Sequence, residues 1–261
     1  MSIPSPDLPA LRLAADRAVT HPGSHWTRAL VLDQCASTQD AALENCASKP
    51  GLFVVAGRQH AGRGRLGRSW HDEDGLGLAL TCVLPPGNAA LPLAAGVAVL
   101  RAATTLGAVD LGLKWPNDVV ERQGHRRKLA GVLVEVTSGL ALLGVGLNVL
   151  QHGHEWPTAL RGRAVSLRDL GLTASRAEAL AALLAALDDV LTACDSDAGL
   201  QGILTEWRAA DVLTGTEQEF LHAGTRVRGL VRAIDPLREI LLATPEGNLR
   251  LPAASTSLVM Q

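Results

Sequence analysis

Short apolar runs separated by polar and glycine-rich segments occupy the first 150 residues of the chain. Runs of this length that are rich in β-branched residues predict strands, whereas the longer, mostly apolar stretch 91–107 predicts a central buried helix. Ser37, with Asp40 three residues later, has the pattern of a helix N-terminus. Ser138-Gly139 separates two apolar runs and predicts a hairpin turn. The strands are expected at residues 29–33, 52–57, 76–84, 129–136 and 140–149, with shorter ones at 113–115 and 119–121.

The pattern changes twice after residue 150. A polar loop leads into two expected helices, and from about Val212 short apolar segments alternate with turns rich in Pro, Gly and Asn. The helices are expected at 177–192 and 200–209, and the late strands at 225–232, 239–243 and 248–251. We therefore divide the chain into a leader at 1–27 with one short helix, a central domain at 28–210, and a small all-β module at 211–261.

Composition excludes several classes of function. The 24 Lys and Arg residues against 26 Asp and Glu residues give a net charge of −2, which excludes a generally basic nucleic-acid coat protein. The lack of Tyr, with two Phe, argues against an aromatic surface for single-stranded nucleic acid. No run reaches the roughly 18–20 apolar residues that span a bilayer, and no secretory signal is recognisable, so we expect a cytoplasmic protein. Four scattered cysteines predict free thiols rather than a zinc site.

The most distinctive segment is 57–68, in which arginines alternate with glycines. Glycine lets a backbone approach a ligand closely, and arginine forks fit phosphate and carboxylate oxygens, so the segment predicts an anion-binding loop that orders on its ligand. Gly62-x-Gly64-x-x-Gly67 also matches a dinucleotide fingerprint, but no helix follows it. An RNA-binding Arg-Gly segment and a solvated surface loop are further alternatives. The arginines are Arg58, Arg63, Arg65 and Arg68.

Three further segments place cations, amides and glycines at strand ends. Residues 114–118, KWPND, present a lysine beside an amide and a carboxylate, and these two oxygen donors can hold a hydrated Mg²⁺ next to a nucleotide. Lys128 stands at the entrance of a strand that contains Gly131, and a strand glycine often marks the close approach of a ligand. Residues 144–148 end a strand with an Asn after two glycines. Alone, each segment also fits an ordinary turn, a basic strand entrance or a bulged strand.

Taken together and in this order, these segments resemble the motifs of the bacterial biotin protein ligases, over about residues 28–260. The Gly-Arg-Gly-Arg-x-Gly-Arg, KWPND, RKLAG and GxGxN motifs of that family are matched by residues 62–68, 114–118, 127–131 and 144–148. The family's Ser-Thr-Asn triplet is present as Ser37-Thr38-Gln39, so a longer amide replaces the usual Asn. The resemblance implies an α+β fold, with a mixed β-sheet catalytic domain of the class II synthetase-like, biotin–lipoyl ligase type followed by an SH3-like barrel.

The resemblance also implies a two-step reaction. Biotin's carboxylate is joined to the α-phosphate of ATP with release of pyrophosphate, and the biotinyl-adenylate then acylates one lysine of a biotin carboxyl carrier domain. Lys128 and Arg65 would be the catalytic cations, and Asp118 the ligand of Mg²⁺. The implied biotin-binding residues are Ser37, Thr38, Gln39, Gln59, Arg63, Gly64, Arg65, Lys128 and Gly131. The implied ATP- and adenylate-binding residues are Gly62, Arg63, Arg65, Lys114, Asn117, Asp118 and Asn148.

Other functions remain open at this point. A lipoate or octanoyl protein ligase would share the implied fold, although the Gly/Arg loop together with KWPND favours biotin. An RNA-binding protein is disfavoured by the net charge, and a transcriptional repressor by the lack of a DNA-binding domain before Ala29. We therefore expect a ligase of the short class without a repressor domain. Its expected partners are biotin, ATP and the carrier domain, with neither DNA nor a membrane, and an exposed sheet edge would allow a weak homodimer.

Overall fold

Strands and helices alternate over most of the chain, and strands alone follow from residue 217. The computed structural model describes residues 5–72 and 75–259. None of the described helices is long and apolar enough to cross a membrane. The helices are α1 (Leu8–Thr20), α2 (Thr38–Asn45), α3 (Leu91–Thr105), α4 (Arg176–Cys194) and α5 (Asp197–Ala210). The strands are β1 (Arg28–Cys35), β2 (Leu52–Arg63), β3 (Ser69–Asp72), β4 (Gly77–Leu84), β5 (Leu111–Lys114), β6 (Asp118–Glu121), β7 (Lys128–Thr137), β8 (Leu140–Asn148), β9 (Glu217–His222), β10 (Thr225–Asp235), β11 (Glu239–Thr244), β12 (Gly247–Pro252) and β13 (Thr256–Leu258).

The larger sheet has the strand order β1-β2-β4-β8-β7-β6-β5, and β3 pairs with the end of β2. β1 and β2 are parallel, and the other pairs are antiparallel. Every residue of β4 is buried, which explains its near-continuous apolar sequence. Alternate residues of β2 face opposite sides: Phe53 and Val55 join the main core with α3 and α4, whereas Leu52 and Val54 pack with α2.

Two local sequence patterns form the structures that they predict. Ser37 caps α2, because its Oγ accepts a hydrogen bond from the Gln39 backbone N at 3.2 Å. The turn between β7 and β8 has positive φ at both Ser138 (50°) and Gly139 (72°). That geometry matches the twist of the two strands, so the predicted hairpin is confirmed. These two features place Gln39 and the glycines of β8 beside each other in the site described below.

The smaller sheet contains β12-β11-β10-β9-β13 in that order, all antiparallel. The sequence pattern did not predict β9, because Phe220 is its one fully buried side chain and polar residues surround it. Nor did it predict β13, which is three residues long. Phe220 packs against Trp115 with ring centroids 6.0 Å apart, and Val212 N donates to Leu113 O at 3.1 Å. The small sheet is thereby attached directly to the strand that precedes the KWPND turn.

The Gly/Arg segment forms paired strands instead of the loop that its sequence predicts. β2 continues through residues 58–63, and β3 returns antiparallel to it, with Gly62 opposite Trp70 and Arg63 opposite Ser69. Main-chain pairing requires no apolar side chains, so periodicity could not reveal these strands. We call residues 58–72 the Gly/Arg hairpin. Its turn contains Leu66 in the left-handed region (φ 57°), with a side chain that is 73% exposed.

The described part of the leader packs into the core of the central domain. Leu11 and Ala15 of α1 are fully buried, and α1 lies against α4 and β1. Asp188 of α4 accepts hydrogen bonds from Ser24 Oγ and His25 N, each at 2.9 Å. The leader therefore shares one hydrophobic core with the residues that carry the site.

Candidate active site

One cavity of about 890 Å³ collects every residue that the sequence singled out as a binding or catalytic candidate. It is bounded by the start of α2, the Gly/Arg hairpin, the middle of β7 and β8, the KWPND turn and the loop at 156–164. Ser257 and Leu258 of β13 contribute to its lining from the smaller sheet. The candidates that line it are Ser37, Thr38, Gln39, Gln59, Gly62, Arg63, Gly64, Arg65, Lys114, Asn117, Asp118, Lys128, Gly131 and Asn148.

The inner end of the cavity is a buried polar pocket. Gln59 Oε1 accepts hydrogen bonds from Thr38 N at 2.8 Å and from Thr38 Oγ1 at 3.1 Å, and Thr38 Oγ1 also bonds Thr81 Oγ1 at 2.8 Å. These side chains and that of Ser37 are each less than a tenth exposed. Because the Gln59 carbonyl is fully engaged, its amide NH₂ group is the end left to donate to a ligand.

Gln39 occupies the position at which the sequence departs from the family motif. Its Nε2 donates to the carbonyl oxygens of Leu133 and Leu142, at 3.3 and 3.4 Å. Its Oε1 is buried and finds no hydrogen-bond partner among the described residues. A buried acceptor without a partner destabilises the empty site by about 1–3 kcal/mol, so it favours a ligand that supplies an N–H group there.

Trp70 is a site residue that sequence reasoning missed. The indole lies on Gly146, where an added Cβ would overlap the ring, and Lys128 Nζ stands 5.6 Å from the ring centroid. The indole Nε1 is buried and lacks a hydrogen-bond partner in the described part of the chain. The signal was present in the sequence, since Trp70 lies just past the Gly/Arg turn and opposite a strand glycine. Trp70 reaches the site only because β3 pairs with β2, and the sequence pattern did not predict that pairing.

The outer end of the cavity concentrates positive charge around Asp118. Lys128 Nζ lies 2.7 Å from Asp118 Oδ1, an ion pair whose angle does not meet hydrogen-bond geometry, so that this buried oxygen retains acceptor capacity. Burial lowers the pKa of Lys114 below its ordinary value of 10.5; the charge of Asp118 opposes this shift, and nearby cations reinforce it. Burial likewise lowers the pKa of Arg65, against the opposing charge of Asp118. The cations near Lys114 are Arg126, Lys128 and Arg163.

The guanidinium of Arg63 binds two carboxylates of the protein. Its two Nη atoms each lie 2.7 Å from an oxygen of Asp40, and Nη2 is 3.5 Å from Glu135. The hydrogen bond from Arg63 holds the pKa of Asp40 below its ordinary value. Arg63 therefore fastens the Gly/Arg hairpin to α2 and β7, while Arg65 is the half-buried arginine beside Asp118.

Two asparagines of the motifs brace the backbone of the site. Asn117 Nδ2 donates to Val132 O, and Asn148 Nδ2 donates to Lys128 O at 3.0 Å and to Val165 O at 3.1 Å. Both amide hydrogens of Asn148 are therefore used within the protein, which leaves its side-chain carbonyl oxygen as the remaining polar group. These bonds fix the strand start that carries Lys128.

Gly146 tests the packing of Trp70 directly. Replacing Gly146 with Ala is expected to lower the free energy of unfolding by about 1–3 kcal/mol, because the new methyl group overlaps three atoms of the indole in the middle of a sheet. Urea denaturation measures the change. Gly202→Ala is the matched control, since nothing lies within 4 Å of its added Cβ. That helical substitution should be neutral or stabilising, and equal losses in the two variants would contradict the packing described here.

Comparison with known proteins agrees with this geometry. A model described as the Biotin/lipoate A/B protein ligase family matches residues 31–150. The biotin–[acetyl-CoA-carboxylase] ligase of Mycobacterium tuberculosis is 37% identical over 226 residues, 82% of this chain and 82% of that protein. The enzyme of the same name from Paracoccus denitrificans is 30% identical over 244 residues, 84% of this chain and 97% of that protein.

Solved structures give the same result. The biotin protein ligase from Aquifex aeolicus in complex with biotin and ATP superposes with a TM-score of 0.79 at 26% identity, over 90% of this chain and 100% of that chain. The expected α+β fold class, a mixed sheet with helices, is thereby confirmed. The smaller antiparallel sheet fits the expected SH3-like domain, but its described strands run from β12 at one edge to β13 at the other and do not form the expected closed barrel. With these relatives and with the motif residues gathered in one cavity, the chain belongs to the biotin/lipoate protein ligase family, among its biotin–[acetyl-CoA-carboxylase] ligases.

Proposed function

We propose that this chain activates biotin with ATP as biotinyl-5′-AMP and transfers the biotinyl group to a lysine of a biotin carboxyl carrier domain. The observation that carries the proposal is the division of one cavity into a buried polar pocket and a cluster of cations. Lys128 and Asp118 lie between the two parts, 2.7 Å apart. The solved Aquifex aeolicus relative holds biotin and ATP, the two substrates that such a divided cavity would take.

The polar pocket suits the ureido ring of biotin, which carries one carbonyl acceptor and two N–H donors. The free NH₂ of Gln59 would donate to the ureido oxygen, and the unpaired Oε1 of Gln39 would accept from a ureido N–H. The apolar thiophane ring and valeryl chain would then pass along Trp70. Gly131 and Gly146 leave room for the side chains that border that path, because a Cβ at Gly131 would lie 2.7 Å from Lys128 Nζ and a Cβ at Gly146 would overlap the Trp70 indole.

The cation cluster suits the phosphates of ATP. In the first step the biotin carboxylate attacks the α-phosphorus, pyrophosphate leaves, and negative charge accumulates on the phosphate oxygens. Lys128 would turn from Asp118 toward the meeting point of carboxylate and α-phosphate, and Arg65 would hold the same phosphate from the hairpin. Lys114, near Arg126 and Arg163, would hold the departing pyrophosphate. Fixed cations of this kind stabilise the transition state without reorganising solvent.

Magnesium would enter with the nucleotide. Among the described residues, no group of three or more His, Cys, Asp or Glu side chains is arranged to hold a metal ion. Mg²⁺ nevertheless needs only one or two protein carboxylates when phosphates and water complete its shell, and the buried Asp118 Oδ1 fits that need. The ion would neutralise phosphate charge that Asp118 would otherwise repel.

In the second step, the ε-amine of the carrier lysine attacks the carbonyl carbon of the adenylate, AMP leaves and the amine loses a proton. We infer that the lysine enters between the smaller sheet and the 156–164 loop, since Ser257 and Leu258 of β13 and residues of that loop both line the cavity. We place the reaction in the cytoplasm, since all four cysteines are free thiols, as a reducing compartment keeps them.

The test of this function is the release of pyrophosphate from ATP by the purified protein with biotin, with lipoate and with neither. Biotin-dependent release, followed by labelling of a biotin carboxyl carrier domain at its single target lysine, is the expected result. Release with lipoate instead would retain the reaction type but overturn the assignment of the polar pocket. No release with either acid would refute the proposed function.

The lowered pKa of Lys114 predicts the pH dependence of ATP capture. The amine is charged below its pKa, so raising the pH through that lowered pKa removes a positive charge from the phosphate site of the free enzyme. We expect kcat/KM for ATP to fall on the alkaline side before pH 10.5, the ordinary lysine value. In Lys114→Arg, which stays charged throughout this range, the alkaline limb should move to higher pH.

Lys49 provides the control for that profile, because it is exposed and lies outside the cavity. Lys49→Arg should keep the wild-type limb. An alkaline limb at the same pH in wild type and Lys114→Arg would assign the titration to another group.

A further inference from the structure

A single arginine outside the cavity ties together the two strands between which the Gly/Arg hairpin emerges. Arg176, the first residue of α4, is 1% exposed. Its Nη1 donates to Gly57 O at 2.7 Å and to Gly77 O at 3.0 Å. Gly57 lies in β2 immediately before the hairpin, and Gly77 begins β4.

These two carbonyls lie where the ladder between β2 and β4 stops. The last residues paired between the two strands are Ala56 and Ala79; beyond them β2 remains paired with β1 as far as Gln59, and β3 takes the place of β4 on its other side. The guanidinium therefore replaces the missing ladder hydrogen bonds. The far end of the hairpin is fastened at the same place, because Asp72 Oδ1 accepts from Gly77 N at 3.0 Å.

The N-terminal segment holds this arginine in position. Asp7 binds it with both carboxylate oxygens, Nε to Oδ2 at 2.7 Å and Nη2 to Oδ1 at 2.5 Å, and Ser5 Oγ accepts from Nη2 at 2.9 Å. Ser5 N in turn donates to Asp33 Oδ1 of β1 at 2.7 Å. A buried guanidinium without such partners would destabilise the fold. We call the connected side chains of Arg176, Asp7, Ser5 and Asp33 the unit.

The site for the unit leaves no space for other side chains. A Cβ on Gly57 would lie 2.5 Å from Asp33 O and 2.9 Å from Ser5 Cβ, and a Cβ on Gly75 would lie 2.7 Å from Gly57 O. Close backbone approach at Gly57 is thus required for the N-terminal segment to reach Arg176, and close approach at Gly75 brings the chain after the hairpin against Gly57. Tight packing of this kind transmits a displacement of one member to the others.

We propose that Arg176 is a positioning residue for the Gly/Arg hairpin, and that Ser5 and Asp7 make the N-terminal segment a working part of the ligand site. Arg176 does not line the cavity; it acts through the hairpin that carries Gln59, Arg65 and Trp70. The expected change in KM for biotin rests on the proposed function, because it requires biotin to be the substrate bound beside the hairpin. The expected change in hydrogen exchange of the hairpin does not depend on the proposed function.

The test uses Asp7→Ala in the full-length protein, which removes the paired carboxylate but keeps Arg176. We expect KM for biotin to rise at least about tenfold and KM for ATP to rise less, because Arg65 is the one hairpin cation proposed to hold a phosphate, whereas the cations near Lys114 lie outside the hairpin. We also expect faster hydrogen exchange at the amides of residues 58–72 than in wild type, with exchange in α5 unchanged. Asp7→Glu, which retains a carboxylate, should have a KM for biotin between those of Asp7→Ala and wild type.

The matched control is Glu206→Ala, which breaks a bidentate ion pair with Arg101 between α3 and α5, at 2.6–3.1 Å and far from the hairpin. It should lower thermal stability without raising KM for biotin. A loss of stability in Asp7→Ala with unchanged hairpin exchange and unchanged KM would overturn the proposal. If wild type releases no pyrophosphate with biotin, the proposed function fails, and hydrogen exchange of the hairpin still decides whether Arg176 and Asp7 position it.

Discussion

Replacing Lys128 with Ala is expected to slow the formation of biotinyl-adenylate by at least about 10²-fold, with a smaller effect on the binding of either substrate. The ammonium group stands 2.7 Å from Asp118 and 5.6 Å from the centre of the Trp70 ring, at the boundary between the polar pocket and the cations. Lys128 is the one lysine of β7. Single-turnover conversion of α-labelled ATP, with enzyme in excess, measures the step without interference from product release.

Two variants separate loss of the cation from its side effects. Removing Lys128 also leaves Asp118 without its ion-pair partner, and that carboxylate would then repel the phosphates. The double variant Lys128→Ala with Asp118→Asn removes this repulsion but also the proposed Mg²⁺ ligand, so it is compared with Asp118→Asn alone. A rate that is lower in the double variant than in Asp118→Asn reports the missing cation itself. Lys49→Ala, an exposed lysine outside the cavity, should behave as wild type. A rate unchanged in Lys128→Ala would transfer the catalytic role to Arg65 or Lys114.

Local patterns in the sequence were sufficient where the physical cause is local. The cap at Ser37 and the turn at Ser138-Gly139 depend on residues at most three positions apart, and both form as predicted. The motif residues also meet in one cavity, because motifs that end strands of one sheet are brought together by the sheet itself. The resemblance to a family was therefore enough to indicate the motif residues that line the cavity, but not Trp70.

Contacts between residues distant in sequence were not predictable in this way. Arg176 and Gly57 are 119 positions apart, and nothing in the sequence around either residue indicates the other. Trp70 could be assigned only after β3 was paired with β2, and that pairing uses main-chain groups of Gln59, Gly62 and Arg63, none of which is apolar in character. Arg63 carried the same sequence signal as Arg65, yet Asp40 and Glu135 engage it. Charge pattern alone does not distinguish an arginine that binds a ligand from one that binds the protein.

Replacing Arg65 with Gly is expected to release biotinyl-adenylate into solution, so that unrelated proteins become biotinylated. Arg65 is half-buried beside Asp118, on a hairpin whose turn is exposed, and it would contact the adenylate phosphate. A charge-assisted hydrogen bond contributes about 1.5–3 kcal/mol, which corresponds to about 10- to 100-fold faster dissociation of the adenylate. The mixed anhydride then reacts with any accessible amine once it leaves the site. Biotin transfer to serum albumin, detected with streptavidin, measures the leak.

Glycine also loosens the backbone, so the charge and the flexibility of the hairpin must be separated. Arg65→Ala removes the cation without adding backbone freedom, and it should leak nearly as much as Arg65→Gly if the phosphate contact retains the adenylate. Arg65→Lys keeps a positive charge at the same position and should reduce the leak, although a point charge cannot reproduce the two-pronged contact of a guanidinium. If only Arg65→Gly leaks, the rigidity of the hairpin turn, and not the charge of Arg65, retains the adenylate. Loss of adenylation without stray labelling in all three variants would show that Arg65 acts in forming the adenylate and not in retaining it.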